Sequence, residues 1–330
     1  MTERMGRAAL TVTNLSVEFR TADGVANAVD DVSFGVDRGE TLAIVGESGS
    51  GKSVTARALM GLVGSPGRIS GGSIRLGEQE LVGLSSRALR PIRGSRIAMV
   101  FQDSLSALNP VFTVGQQLEE TFRVHRRMGR REARRRAIEL LDRVRIPDAA
   151  RRVDQYPHEF SGGMRQRAMI AMSIALEPEI LIADEPTTAL DVTVQAQIMA
   201  LLSELQAESE MALILITHDL GVVAQQADRV AVMYAGRLVE QAPTETLFRQ
   251  AAHGYTRALL DAIPRFESSH ERLVSIPGSA PQLGSRGAGC AFAPRCAFAT
   301  EACGQEQPSM RDIDEAHRSA CHEWKRVMVA

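Results

Sequence analysis

The stretch TLAIVGESGSGKS, residues 41–53, decides which kind of fold this chain can adopt. It opens with an uninterrupted apolar run, Thr41–Val45, which is typical of a buried strand. The following segment, Gly46–Ser53, fits the pattern G-x-x-x-x-G-K-[ST], and the segment SVTARALMGLV that begins at Ser53 predicts a helix. A strand, a glycine loop and a helix in this order are the context in which the pattern binds phosphate groups.

The residue types in the loop explain why it would bind a nucleotide. Glycines let successive backbone N–H groups face one concavity, and the helix N-terminus adds partial positive charge. Lys52 reaches the β- and γ-phosphates, and the hydroxyl of Ser53 is a ligand for Mg²⁺. Because the chain has two Lys beside 36 Arg, the Lys retained here favours a phosphate site over a chance turn. The predicted nucleotide-binding residues of this segment are Gly46, Glu47, Ser48, Gly49, Ser50, Gly51, Lys52, Ser53 and Val54.

A second candidate site is the end of the apolar run ILIADE, residues 180–185. Asp184 can hold Mg²⁺, directly or through its water, and Glu185 can polarise a water for in-line attack on the γ-phosphorus. Two acidic residues after a strand are otherwise a surface pair or a helix cap. The glycine loop in the same chain favours the catalytic interpretation.

Apolar runs alternate with helical patterns along the chain, which predicts an α/β fold with a mostly parallel sheet and helices on its faces. Residues 10–45 are rich in strand signals. The further predicted elements are strands at 97–102, 180–184 and 212–217, helices within 115–152 and at 164–176 and 192–208, and a hairpin at 229–241 that turns at Ala235-Gly236.

The composition excludes several classes of protein. With 330 residues, 44% hydrophobic and 24% charged, the chain is globular rather than disordered and has room for about two domains. No apolar run approaches the roughly 18 to 20 residues that cross a bilayer, and the N-terminus lacks the apolar region of a secretory signal, so we expect a cytosolic protein. A net charge of −2 gives no drive toward nucleic acid.

All four cysteines, Cys290, Cys296, Cys303 and Cys321, lie in a tail that follows a stretch rich in Pro, Gly and Ser at 276–289. In a reducing compartment such a cluster favours metal binding over disulfides. The close Cys pairs of structural zinc sites are missing, and the spacing is compatible with an iron–sulfur cluster, with zinc and free thiols as alternatives. We expect the tail to lie apart from the core that holds the phosphate loop.

Twelve arginines fall between Arg123 and Arg152. They could form a surface for anionic lipid or nucleic acid. The favoured interpretation is a solvated helical face whose charges pair with nearby carboxylates, namely Glu132, Glu139, Asp142 and Asp148.

Further motifs carry a resemblance to a known family. FSGGMRQR (160–167) before ILIADEP, Gln102 after a predicted strand, ALD at 189–191 and His218 in ITHD together resemble the ATPase subunits of ABC transporters. FQDSLSALNP, THDLGVVA, HGYTRALL, SIPGSAPQL and the Cys-rich tail narrow the resemblance to the dipeptide/oligopeptide (and nickel) importer ATPases. SGGM in place of SGGQ is similar to the "D"-type subunit of that group.

The resemblance implies a domain plan. A RecA-like ATPase domain would span residues 10–260, with an N-terminal antiparallel β subdomain and a helical signature subdomain at about 103–176. Residues 261–330 would form the C-terminal extension of the oligopeptide transporters, with a [4Fe–4S] cluster on its four cysteines.

It also implies a head-to-tail dimer with a companion ATPase, beneath two membrane permeases served by an extracytoplasmic solute-binding protein. The subunit would sit peripherally on the cytoplasmic face of the membrane. Ser161, Gly162 and Gly163 would then contact ATP bound by the partner, Gln102 would sense Mg²⁺, and His218 would bind the γ-phosphate. Phe19 resembles the aromatic residue that stacks on adenine, although a strand residue of the core is the plainer interpretation.

Three alternatives stay open from the sequence. The imported solute could be a nickel chelate rather than a peptide. A soluble ABC ATPase of translation or DNA maintenance is disfavoured, because the chain has one cassette and no long coiled coil. A non-catalytic scaffold is disfavoured by the intact Lys52, Glu185 and His218.

Overall fold

The computed structural model describes residues 8–22, 24–103, 107–188, 190–263 and 275–330. Ala189, predicted as part of the ALD motif, lies outside these residues. Within the described ranges, no helix combines the length and the apolar character that crossing a membrane requires.

The strands follow the apolar runs of the sequence closely, and the predicted strands 41–45, 180–184 and 212–217 are confirmed at both ends. Their residues are buried on both faces, as expected for the interior of a parallel sheet. The strands are β1 (Ala8–Thr21), β2 (Gly24–Asp37), β3 (Thr41–Val45), β4 (Gly67–Leu76), β5 (Gln79–Glu80), β6 (Ile97–Val100), β7 (Ile180–Asp184), β8 (Ala212–Thr217), β9 (Arg229–Tyr234), β10 (Arg237–Pro243), β11 (Arg311–Asp312) and β12 (Arg318–Ser319).

The helices begin where capping residues or loop glycines allow. Thr113 and Gln116, for example, form a reciprocal capping box before one of the longer helices. The helices are α1 (Lys52–Leu59), α2 (Ser86–Leu89), α3 (Val114–Arg126), α4 (Arg130–Arg143), α5 (Ala149–Arg152), α6 (Gly162–Ile174), α7 (Val192–Ser209), α8 (Leu220–Gln226), α9 (Thr244–Arg249), α10 (Gly254–Asp261), α11 (Glu301–Gln305) and α12 (Trp324–Met328), with short 3-10 helices at Pro157–Glu159 and Ala293–Arg295.

The chain divides into two compact units. The first comprises the described parts of Met1–Leu10, Val36–Glu40 and Gly83–Leu215. In it β6 runs parallel to β7, with Ile97 opposite Ile180, and β8 follows β7 in the strand order. The range predicted for the helical subdomain contains helices α3–α6, whose apolar faces pack together through buried residues such as Leu118 and Leu141.

Several of the arginines between Arg123 and Arg152 pair with carboxylates in this unit. Arg134 contacts Asp154 at 2.6 Å, Arg143 contacts Glu208 at 2.8 Å and Arg145 contacts Glu204 at 2.5 Å. Of the partners predicted from the sequence, Glu139 pairs with Arg136 at 3.2 Å. These exposed pairs agree with a solvated helical face rather than a surface of uncompensated positive charge.

The second unit comprises Thr11–Gly35, Thr41–Val82 and the described part of Ile216–Ala330. Its strand order is β11-β12-β10-β9-β3, with β3 parallel to β9 and the β9–β10 hairpin antiparallel. The hairpin turns at Ala235-Gly236, as predicted, and both residues adopt positive φ. The N-terminal strands form an antiparallel sheet in the order β2-β1-β4-β5.

The Cys-rich tail belongs to this second unit. Phe292, which is 1% exposed, lies in the same hydrophobic core as Val45 of β3 and Tyr234 of β9. Farther along the tail, β12 pairs with β10 so that Ser319 faces Glu240. The prediction that the tail lies apart from the core that holds the phosphate loop is therefore wrong, because the tail contributes an aromatic side chain to that core.

Candidate functional site

The phosphate loop, Gly46–Ser53, connects β3 to α1 in the second unit. At Gly46 a side-chain Cβ would come within 2.2 Å of the carbonyl oxygen of Met233, and at Gly51 it would come within 2.6 Å of that of Ala28. Gly51 also has a φ of +103°, in the left-handed region that favours glycine. Glycine is required at both positions, so the tight course of the loop is a property of its sequence.

The Lys52 ammonium group is held inside the loop. Its Nζ donates to the carbonyl oxygen of Gly46 at 2.7 Å and to that of Glu47 at 3.0 Å, and the residue is 6% exposed. Lys52 is also the first residue of α1, and its N-cap, Gly51, has no side chain that could cap the helix. A helix N-terminus and a buried ammonium group thus face the same loop, which is the arrangement that binds polyphosphate.

The acidic pair lies in the first unit, at the end of β7. Asp184 is 4% exposed, and Glu185 follows it with a φ of +46°, an unfavourable conformation for a residue other than glycine. Oε2 of Glu185 accepts hydrogen bonds from Nε2 of Gln102 and from Oγ1 of Thr188, both at 2.9 Å. The structure thus joins two of the predicted catalytic residues, Gln102 and Glu185, and holds the second in a strained backbone conformation of the kind found at functional sites.

The predicted signature residues form the N-terminus of α6 in the first unit. The Ser161 side chain caps the helix by accepting from the Met164 amide at 3.3 Å. At Gly163 a Cβ would come within 2.8 Å of the Val194 side chain of α7, so a larger residue would force that side chain to shift. Ser161 is exposed, and its helix N-terminus is suited to an anion supplied by another molecule.

The remaining predicted residues stand at the ends of strands or within them. His218 is exposed directly after β8, and the following Asp219 caps α8 by accepting from the Gly221 amide at 2.8 Å. Phe19 lies in β1, half-buried, with its ring packed against the backbone of Gly67. The roles of His218 toward phosphate and of Phe19 toward adenine stay predictions.

The four cysteines are buried or half-buried within the tail. Burial raises the pKa of Cys290 and Cys296, and the Cys303 charge adds to both effects. Burial also raises the pKa of Cys321 to about 11, with contributions from Cys290 and Cys296. Across the described parts of the chain, no group of three or more His, Cys, Asp or Glu side chains is arranged to hold a metal ion, so the structure does not show the predicted metal-binding tail.

Polar groups lie beside three of these sulfurs. The Phe298 amide donates to Sγ of Cys296 at 3.4 Å, and the Thr300 hydroxyl lies 3.5 Å from Sγ of Cys303. His253 accepts the Tyr255 amide at its Nδ1, which leaves Nε2, 4.0 Å from Sγ of Cys290, as the protonated nitrogen. Its burial lowers the pKa of His253 to about 4, so the ring is neutral.

The sequence did not predict two polar contacts between the tail and the rest of the second unit. Arg295 binds the carboxylate of Glu47, which raises the pKa of the guanidinium, and His317 lies 2.8 Å from the fully buried carboxylate of Glu240. No signal separated Arg295 from the other arginines. For Glu240, its place in the apolar hairpin strand was a usable clue, because a buried carboxylate needs a partner.

Comparisons with known proteins assign the family. The family described as "ABC transporter" matches residues 29–188, and the family described as "Oligopeptide/dipeptide transporter, C-terminal region" matches residues 239–303. A protein of Brucella abortus (strain 2308), named as a peptide import ATP-binding protein, is 58% identical over 301 residues, which are 91% of each chain. A second protein of the same strain and name is 51% identical over 330 aligned residues, covering 96% of this chain and 98% of its own.

Solved structures of ATP-binding cassettes agree with this family assignment. A dimeric ATP-binding cassette in a post-hydrolysis state with ADP and Pi matches 71% of this chain and 98% of its own, with 28% identity and a TM-score of 0.65. The cbiO1 protein of Clostridium perfringens, part of an ABC transporter complex, matches 73% of this chain and 91% of its own, with 31% identity and a TM-score of 0.62. The chain therefore belongs to the ATP-binding subunits of ABC transporters and is an ABC-type ATPase. Within that family it carries the oligopeptide/dipeptide transporter C-terminal region.

Proposed function

We propose that this chain hydrolyses ATP to power the uptake of dipeptides or oligopeptides through an ABC importer. The observation that carries the ATPase part is the buried Lys52 ammonium group within the glycine loop at the start of α1. Support for the peptide part comes from the C-terminal region at residues 239–303 and from relatives named as peptide import ATP-binding proteins.

Each predicted residue has a role in this proposal. The loop amides and Lys52 bind the phosphates, and Phe19 stacks on adenine. Glu185 accepts a proton from the attacking water, and His218 donates to the γ-phosphate. Ser53, Asp184 and Gln102 would hold Mg²⁺, which when bound neutralises charge on the phosphates. The contact between Gln102 and Glu185 supports assigning both residues to one catalytic group.

The ATPase would work as a head-to-tail dimer with a companion ATPase. In such a dimer Ser161, Gly162 and Gly163 complete the site on the partner. The exposed Ser161 at the N-terminus of α6 supports this role, as do the related cassettes solved as dimers. Two membrane permeases would be the further partners, with an extracytoplasmic solute-binding protein acting through them. With these partners the subunit would sit peripherally on the cytoplasmic face of the membrane.

We further propose that Cys290, Cys296, Cys303 and Cys321 bind a [4Fe–4S] cluster. Support comes from the donor type, because iron–sulfur clusters are held by Cys thiolates, and from the burial of Cys303 and Cys321 beside the half-buried Cys290 and Cys296. Hydrogen bonds to the sulfurs, such as that from the Phe298 amide, are of the kind that tunes iron–sulfur sites. When bound, the cluster would supply a redox-active centre and cross-link the tail.

The test of the transport function is uptake into proteoliposomes. The chain is reconstituted with its companion ATPase and permeases, and labelled dipeptides, oligopeptides and nickel chelates are offered with the solute-binding protein. ATP-dependent accumulation of peptides, abolished by Lys52→Ala, supports the proposal. Accumulation of nickel chelates alone would reassign the solute, and purification of the chain without any integral membrane partner would favour a soluble ABC ATPase.

A further inference from the structure

The Cys-rich tail contacts the phosphate loop through a two-pronged ion pair. Nη1 of Arg295 donates to Oε2 of Glu47 at 2.9 Å, and Nη2 donates to Oε1 at 3.1 Å. Glu47 is the second residue of the loop, and Arg295 lies 248 positions farther along the chain. Both side chains are shielded, with 8% of Arg295 and 26% of Glu47 exposed, and a bidentate pair of this kind is geometrically specific.

The guanidinium group of Arg295 is fixed from several sides. Its Nε donates to the carbonyl oxygen of Pro277 at 2.7 Å, and its Nη1 also donates to the hydroxyl of Tyr234 at 3.1 Å. The group lies over the ring of Phe292, 5.6 Å from the ring centre. Because the surroundings restrict Arg295, its position determines where the carboxylate of Glu47 lies.

Glu47 introduces a difficulty into a loop that binds anions. Its amide donates to the hydroxyl of Tyr255 at 2.7 Å, and its carbonyl oxygen accepts from Nζ of Lys52. The carboxylate thus belongs to a residue whose backbone contacts the ammonium group that should meet phosphate. A carboxylate released from Arg295 would compete with the nucleotide for Lys52 and for the loop amides.

We propose that Arg295 is a positioning residue for nucleotide binding, which holds the Glu47 carboxylate away from the phosphate site. This inference rests on the proposed function, since it assumes that the loop binds ATP. Arg295 ends the 3-10 helix Ala293–Arg295, which lies between Cys290 and Cys296. The conformation of the Cys-rich segment therefore affects nucleotide affinity through Arg295.

A double-mutant cycle on the full chain tests the proposal. Mg·ATP affinity is measured by calorimetry for the unchanged chain, Arg295→Met, Glu47→Gln and the double variant. Arg295→Met should weaken binding about tenfold, the scale of a charged hydrogen-bonded pair, and raise KM with little change in kcat. In the Glu47→Gln background the same change should cost less than about threefold, because no carboxylate is left to compete.

The matched control is Arg318→Met, which removes another arginine of the tail, paired with Asp312 at 3.0 Å. It should leave Mg·ATP affinity unchanged. If Arg295→Met does not fold, as judged by thermal melting, Arg295→Lys takes its place in the cycle. Lys keeps the charge but cannot form the two-pronged hydrogen bond. Arg295→Lys should therefore also weaken Mg·ATP binding, and adding Glu47→Gln should restore it.

Two results would overturn the role of Arg295. One is an unchanged affinity in Arg295→Met. The other is an equal loss in both backgrounds, which would mean that Arg295 acts only through tail stability or long-range charge. Lys52→Ala separates this failure from that of the proposed function. If Lys52→Ala binds Mg·ATP as the unchanged chain does, the ATP site itself is wrong, and the inference falls with it.

Discussion

Nε2 of Gln102 donates to Oε2 of Glu185 at 2.9 Å, across 83 residues of sequence. Glu185 also accepts from the hydroxyl of Thr188 and occupies a left-handed backbone conformation. Two hydrogen bonds and a strained backbone orient a carboxylate more firmly than a surface acid requires. This relationship supports the proposal that Glu185 is the general base.

Glu185→Gln should retain Mg·ATP binding but lower ATP hydrolysis by about 100-fold or more, the scale of losing a general base. With ATP the variant should accumulate as a closed dimer, visible by gel filtration. Glu204→Gln, which removes an exposed carboxylate of the same unit, is the matched control and should hydrolyse ATP normally. Normal turnover in Glu185→Gln would show that another group is the base.

Ser161→Arg should impair hydrolysis at the partner's phosphate loop more than at this chain's own loop. The substitution puts a bulky cation at the exposed N-terminus of α6, where the proposed dimer brings the partner's ATP. Site-resolved nucleotide trapping in the assembled transporter measures the two sites separately. A loss confined to this chain's own site would contradict the head-to-tail arrangement.

Anaerobically purified protein should be brown, with broad absorption near roughly 400 nm and about four iron and four sulfide per chain. Cys296→Ser replaces a soft thiolate by a hydroxyl that binds iron poorly, so iron content should fall. Because Arg295 precedes Cys296 and contacts Glu47, Mg·ATP affinity should fall as well. One zinc per chain would support the alternative metal, and a folded, metal-free chain with normal transport would remove the site.

The Arg96 guanidinium hydrogen-bonds Glu179 at 2.5 Å and holds the pKa of that carboxyl below its usual range. A carboxyl with a lowered pKa in the folded state stabilises the fold above its unfolded pKa, and the stabilisation is lost as pH falls through the folded pKa. Arg96→Met should therefore destabilise the chain by about 1 kcal/mol at pH 7. Thermal melting should show that the difference in stability between Arg96→Met and the unchanged chain disappears below about pH 4. A difference that does not depend on pH would exclude the ion pair as its cause.

The sequence was sufficient to predict those strands and site residues that depend on a local pattern. The bounds of strands 41–45 and 180–184 were predicted to the residue. A short apolar run that ends at a glycine or an acidic residue is typical of a buried strand, so the sequence marks both of its ends. Lys52 and Glu185 stood out for the same reason: their chemistry needs those residue types directly after such a strand.

Contacts between distant residues could not be predicted in this way. Arg295 was one arginine among 36, and nothing in its neighbourhood indicated that Glu47 would be its partner. The separation of the tail was inferred from the stretch rich in Pro, Gly and Ser, which predicts a loop but not where the chain returns. The tail returns to the core that contains Val45 of β3, because Phe292 packs there. This contact depends on the tertiary fold and has no local signal in the sequence.

The most direct test of the central claim is the affinity of full-length Lys52→Ala for Mg·ATP, measured by calorimetry beside the unchanged chain. The variant loses the ammonium group that lies among the loop carbonyls of Gly46 and Glu47 and that should meet the β- and γ-phosphates. We predict no measurable binding in a chain that still melts cooperatively. Binding with the affinity of the unchanged chain would contradict the assignment of Gly46–Ser53 as the ATP site.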